Sequence, residues 1–173
     1  MKRYFKDFAV FAALMITLVM ISATAKADDE LDVKPRLGVF FNQGEDLDEA
    51  SILGGVQVDW DIDDTFNIRL GVEYTEADVS DGSELQFTRI PLMIVSEIKQ
   101  DAPLRNVYFG VGGVRTLAQY SDGHYPDVTG WGPTLMLGWM ISRHFSGEFQ
   151  WDNMRKYDRQ YGGFSLVFTY DAL

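Results

Sequence analysis

Cysteine is absent from the 173 residues, so neither a disulfide framework nor a thiolate metal site is available. Basic residues are scarce as well, with 15 Lys and Arg against 26 Asp and Glu and a formal charge of −11. Low-complexity tracts, Pro- or Ser-rich linkers and a second regime of composition are missing too. The apolar run near the start, "AVFAALMITLVMISA", is shorter than the ~20 residues a spanning helix needs. Lys2, Arg3 and Lys6 precede it, and the small residues of "AKA" ending at Ala27 follow it. That pattern predicts a secretory signal over residues 1–27, cleaved before Asp28, rather than an anchor. Within the signal Lys2, Arg3, Lys6 and Lys26 outweigh Asp7, contributing +3 and leaving residues 28–173 near −14. Such acidity argues against nucleic acid, whose phosphates demand basic surface. Residues 28–173 are expected to form one domain.

What the chain has in abundance is alternation. In "TFNIRLGVEYT" Phe66, Ile68, Leu70, Val72 and Tyr74 share one face, against Thr65, Asn67, Arg69, Gly71, Glu73 and Thr75 on the other. The segment from Val33 to Asn42 and "SILGGVQVDWDI" repeat the pattern. "LQFTRIPLMIVSEI", "NVYFGVGGVRTLAQY", "TGWGPTLMLGWMI", "HFSGEFQWD" and "YGGFSLVFTY" bring the strand candidates to about eight. Period two means strands, and their lengths suit the ~10 residues of a tilted transmembrane strand. The phase slips around Arg89 to Pro91, and Arg115 falls on the apolar face counted from Phe109. A bulge near Thr88 and another at Gly112 and Gly113 would turn both arginines inward.

The connections alternate as well. "NQGEDLDEA", "TEADVSDGSE", "AQYSDGHYPD" and "DNMRKYDRQ" are long and polar, whereas those around Asp61 to Thr65 and Ile141 to His144 are tight, with "KQDAPLR" intermediate. Outer-membrane barrels sort their connections this way, with short turns in the periplasm and longer loops outside. Trp60, Phe66, Trp139 and Phe145 fall beside the tight turns, while Tyr74, Tyr120, Trp131 and Trp151 lie near the long loops, as two interfacial girdles would. A soluble lipocalin-like barrel also alternates, but its outer face would be rich in Lys and Glu. Here the polar face carries Gly, Thr, Ser and Gln, which fit a narrow lumen. The expectation is an all-β, eight-stranded antiparallel up-and-down transmembrane barrel.

The signal, the eight-strand alternation, "TRIPLMI" followed by "VYFGVGGV", and the final "YGGFSLVFTY" together resemble the small outer-membrane β-barrel superfamily. That group includes the outer membrane protein A, X-type and Opa-type barrels. The likeness covers essentially all of residues 28–173 and implies export through the periplasm into the outer membrane. Gly162, Phe164, Leu166, Phe168 and Tyr170 resemble the terminal-strand signal read by the barrel insertion machinery, although Asp171, Ala172 and Leu173 follow the last aromatic.

For the interior, alternation nominates a charge network of Lys34, Arg36, Asp59, Arg69, Glu73, Arg89, Glu97 and Glu148. An eight-stranded barrel is just wide enough for side chains to fill, and charges removed from water must be paired. A plugged lumen is therefore favoured over a selective pore. A His-x-Ser pair, His144 and Ser146, has the spacing of a nucleophile and its base, and some relatives on this scaffold are lipid A deacylases. Both residues are expected at the periplasmic end facing the lumen, with the most tempting acid, Asp158, about ten strand residues away at ~3.3 Å each. No triad closes over that distance. Glu45, Asp46, Asp48, Glu49 and Glu76, Asp78, Asp81, Glu84 make two acidic loops, without the spacing of a calcium motif. The leading reading is a non-enzymatic surface or structural protein without cofactor or metal. Its partners would be outer-membrane lipids, lipopolysaccharide through divalent cations, the insertion machinery and an unidentified surface ligand. A narrow ion or solute channel is the alternative, and a hydrolase the weaker one.

Overall fold

A computed structural model describes residues 31–44, 50–78, 84–97, 106–120, 127–157 and 159–171. The signal expected over residues 1–27, most of the first acidic loop, Asp81 and Asp158 lie outside them. The strands are β1 (Leu31–Asn42), β2 (Ser51–Asp61), β3 (Phe66–Asp78), β4 (Glu84–Glu97), β5 (Val107–Tyr120), β6 (Val128–Met140), β7 (Phe145–Asp152), β8 (Arg155–Lys156), β9 (Arg159–Gln160) and β10 (Gly163–Tyr170). β1 to β7 and β10 close into an antiparallel barrel in which neighbours in sequence pair and β1 seals against β10. The remaining two form a small ribbon inside the last long connection, which period-two reading did not separate. Closure leaves no unpaired edge, as a spanning sheet requires.

Both barrel termini sit at the tight-turn end, where Leu31 pairs with Trp60 and Tyr170 with Phe145. Sequence chemistry explains the first tight turn. Asp63 Oδ1 accepts the backbone N–H of Thr65 at 2.7 Å and of Phe66 at 2.9 Å, a side-chain turn that reverses the chain between β2 and β3.

The ladders correct two expectations. β4 pairs with β5 in one unbroken register from Leu85 opposite Tyr120 to Glu97 opposite Tyr108, so neither strand is bulged there. Arg89 turns inward on its own parity, with Leu85, Phe87 and Met93. The phase seemed to slip because those large apolar side chains fill the interior while Gln86 and Thr88 stand outside. Arg115 does not turn inward: it is exposed on the outer wall between its cross-strand partners Ile90 and Trp131.

The packed core lies inside the barrel. At the loop end, Ala77, Leu85, Phe87, Ala118, Val128, Met154 and Tyr161 cluster. Phe40, Leu53 and Val167 form a second group, and Met93, Val95, Tyr108 and Met136 a third toward the turn end. Tyr120, assigned above to the outer girdle, packs instead against the first cluster. Its even position on β5 shares the inward parity of Thr116 and Ala118.

Candidate functional site in the barrel interior

Alternation on five strands delivers the charged side chains to one column in the lumen. β1 supplies Lys34 and Arg36, β2 Asp59, β3 Arg69 and Glu73, β4 Arg89, and β7 Glu148 with Asp152. At the turn end Lys34 Nζ lies 3.4 Å from Asp171 and 3.6 Å from Asp59. Arg69 faces its direct cross-strand partner Asp59 as a two-pronged fork, Nε to Oδ1 at 2.7 Å and Nη2 to Oδ2 at 3.0 Å. Its remaining nitrogen, Nη1, donates to Glu148 Oε1. Glu148 Oε2 accepts from Arg36 Nη2 at 2.7 Å. Arg36 Nη1 stands 2.7 Å from Glu73 Oε1, and Glu73 Oε2 stands 2.9 Å from Arg89 Nη1. Both contacts are ionic by distance, with angles outside hydrogen-bond geometry. Arg89 ends the column on Asp152. Charge thus alternates in sign from one mouth toward the other.

Neutral groups hold this column in place. Tyr108 Oη donates to Glu148 Oε1 at 2.8 Å, and its ring occupies the space over Gly138, where an added Cβ would lie 2.1 Å from a ring carbon. Gly138 is thus small because the tyrosine ring needs the room. Arg69 lies over the same ring at 5.5 Å, and Arg89 lies over Phe40 at 4.6 Å. Gln150 donates to Thr134 and Asp152, and Gln57 donates to Asp59. Arg36, Glu73 and Glu148 are each 0% exposed. At that depth an unpaired charge costs several kcal/mol, so the pairing is a condition of closing the barrel.

Of the nominated network, Lys34, Arg36, Asp59, Arg69, Glu73, Arg89 and Glu148 are brought together. Glu97 is not. It sits exposed at the tight-turn end, its backbone N–H on Thr65 O at 3.1 Å, in a groove shared with Asp61, Asp63 and Asp64. Parity aims it inward, but the strand ends there and the lumen has opened to water. Asp152 and Tyr108 were missed, although Asp152 shares the inward parity of Glu148 and Gln150 on β7.

His144 does not face the lumen as expected. It lies in the turn ahead of β7, exposed, with its ring 6.4 Å from that of the outward Tyr170. The ladder begins only at Phe145, so strand parity does not govern it. Ser146 is half-buried on the inward parity of Glu148 and Gln150. No catalytic pair forms between His144 and Ser146, which point to opposite sides of the wall. Among the described residues no three His, Asp or Glu side chains converge as metal ligands.

Outside, Trp60, Phe66 and Phe145 are exposed near the turn end, and Tyr74 and Trp131 nearer the loops. Trp139 and Trp151 are half-buried, the first because its ring lies across Gly147. Leu37, Val39, Leu70, Val72, Leu92, Ile94, Val111 and Leu135 fill the wall between them. On β10, Phe164, Leu166, Phe168 and Tyr170 point outward, while Gly162, just before the strand, packs against the backbone of Asp152.

Solved structures of similar shape share the closed eight-stranded wall. The crystal structure of Ail, the attachment invasion locus protein of Yersinia pestis, matches with a TM-score of 0.51 at 12% identity, over 82% of this chain and 95% of that one. Neisserial surface protein A matches with a TM-score of 0.53 at 11% identity, over 83% and 99%. This is the fold of the small outer-membrane β-barrels. No family model matches the chain, and no curated protein does. At such identities the likeness is one of fold.

Proposed function

We propose that this chain is an integral outer-membrane barrel whose lumen is plugged by its own side chains and whose role is structural or surface-directed rather than enzymatic. The observation that carries the reading is the stacking of two barriers in one bore. Fully buried ion pairs fill the middle, and the apolar group of Leu85, Phe87 and Met154, each no more than 1% exposed, lies above them. An ion crossing would have to break pairs that have no water to replace them and then enter an apolar layer. The exposed apolar wall supports the membrane setting, since a contiguous surface of this kind in water would be an aggregation site. Loops outside and turns in the periplasm follow from the short connections sharing an end with both barrel termini. Glu76, Asp78 and Glu84 then flank an outer rim to which divalent cations would tie lipopolysaccharide or a surface ligand.

Conductance in a planar bilayer tests the plug. Purified wild type is expected to give no unitary current steps; reproducible steps would support the narrow channel instead. A hydrolase is tested on lipid A, where no acyl chain should be released. Release by wild type, lost in both His144→Ala and Ser146→Ala, would restore the enzyme.

The outward aromatic row of β10 fits recognition by the insertion machinery as well as contact with lipid. Replacing Phe168 or Tyr170 by a polar residue should reduce folded, heat-modifiable barrel in the outer membrane of cells more than it reduces refolding in vitro. Equal cellular levels of mutant and wild type would contradict this.

A further inference from the structure

Arg115 is the unexplained charge of the outer wall. Among the described residues it makes no hydrogen bond or ion pair, and its cross-strand partners are Ile90 and Trp131. Glu76, another outward charge, differs in being engaged by the Tyr74 hydroxyl and by Gln86 Nε2. A cation at the middle of a lipid-facing wall is strongly destabilising, and far less so near an interface. Arg115 is placed for the cheaper case: five residues before the loop-side end of β5, with the exposed indole of Trp131 beside it.

The neighbours of Arg115 turn the position into a receptor. Gly113, two residues below on the same face, has no side chain, and the Trp131 ring lies alongside it, 3.7 Å from an ideal Cβ. Ile90 and Trp131, the cross-strand partners, offer aliphatic and aromatic surface along which an arginine stem can lie. Thr88 and Thr129, the diagonal cross-strand neighbours toward the loops, bring two hydroxyls within the ~7 to 8 Å typical of such pairs. Lys156 brings a second cation, its Nζ on the Thr129 carbonyl at 2.6 Å.

We infer that Arg115, with Lys156 and the hydroxyls of Thr88 and Thr129, binds a phosphate of lipid A in the outer leaflet. The guanidinium offers a planar fork that fits two phosphate oxygens, while Trp131 rests against the adjoining acyl chains. The acidity of the rest of the chain favours one defined phosphate here over a diffuse basic patch. The inference rests on the membrane orientation proposed above.

The test uses the barrel refolded into phosphatidylcholine vesicles, alone or doped with diphosphorylated lipid A, the same lipid A with both phosphates removed, or phosphatidylglycerol at matched charge. The unfolding midpoint of wild type should rise with diphosphorylated lipid A, not with the dephosphorylated form, and less with phosphatidylglycerol. Arg115→Gln should lose most of that rise while its midpoint in phosphatidylcholine alone stays level or increases. Arg115→Lys should keep part of the rise, and Lys156→Gln should lose part. An undiminished rise in Arg115→Gln, no rise in wild type, or an equal rise with phosphatidylglycerol would overturn the site. Failure of wild type to fold into phosphatidylcholine at all would instead overturn the membrane reading.

Discussion

Glu148→Ala is expected to lower the free energy of unfolding by about 3 to 5 kcal/mol, the range for stripping one partner from a buried ion pair. Glu148 merits the upper part of that range because it serves two cations at once, Arg69 through one oxygen and Arg36 through the other. Its removal also strands the Tyr108 hydroxyl, which donates to the same carboxylate. The two guanidiniums left facing each other, Arg36 at 0% and Arg69 at 5% exposure, recover little by solvation. Ser146→Ala, one inward position below toward the wet mouth, breaks no ion pair and should change stability little. Urea titration of the refolded proteins checks the pair: the Glu148→Ala midpoint should fall clearly below that of Ser146→Ala, with unchanged slope. Coincident midpoints would show that the column does not hold the barrel together.

How much of this was readable from the sequence depends on what alternation can encode. Strand number and facing follow from period two, because one face of the wall is apolar and exposed while the other packs against side chains. Arg36, Arg69 and Glu148 were found that way. The same signal fails where the inside is not polar. Phe87 and Met93 make the inner face of β4 look like an outer one, so alternation calls for a bulge beside Arg89 that the ladder does not contain. It fails again where the outside is not apolar, as at Arg115. Parity says nothing beyond the ladder, where His144 lies, or of where the bore opens to water, as it does at Glu97, the last paired residue of β4, so neither joins the lumenal column. Which carboxylate serves which guanidinium is set by shear around the closed barrel, bringing β1, β3 and β7 to one level. No local stretch of sequence carries that information.

The outer wall supplies the second large effect. Leu70→Arg should cost ~2 to 4 kcal/mol, the range for arginine at the middle of a lipid-facing wall. Leu70 stands outward on β3, four residues from Phe66 toward the turns and four from Tyr74 toward the loops, which places it midway between the girdles. Its cross-strand partners are Val58 and Leu92, so no hydroxyl or carboxylate is at hand to receive a guanidinium. The side chain could only reach water by running ~13 Å along the strand to either interface, at ~3.3 Å per residue, which is beyond its length. Arg115 differs in each respect, having an interfacial tryptophan beside it and threonines one step closer to the loops. Unfolding from lipid vesicles would therefore separate the two sites: a charge added at Leu70 should destabilise strongly, while the charge removed in Arg115→Gln should not. If Leu70→Arg folded in detergent and in lipid with unchanged stability, the outward face of β3 would not be facing lipid, and the orientation of the whole wall would have to be reversed.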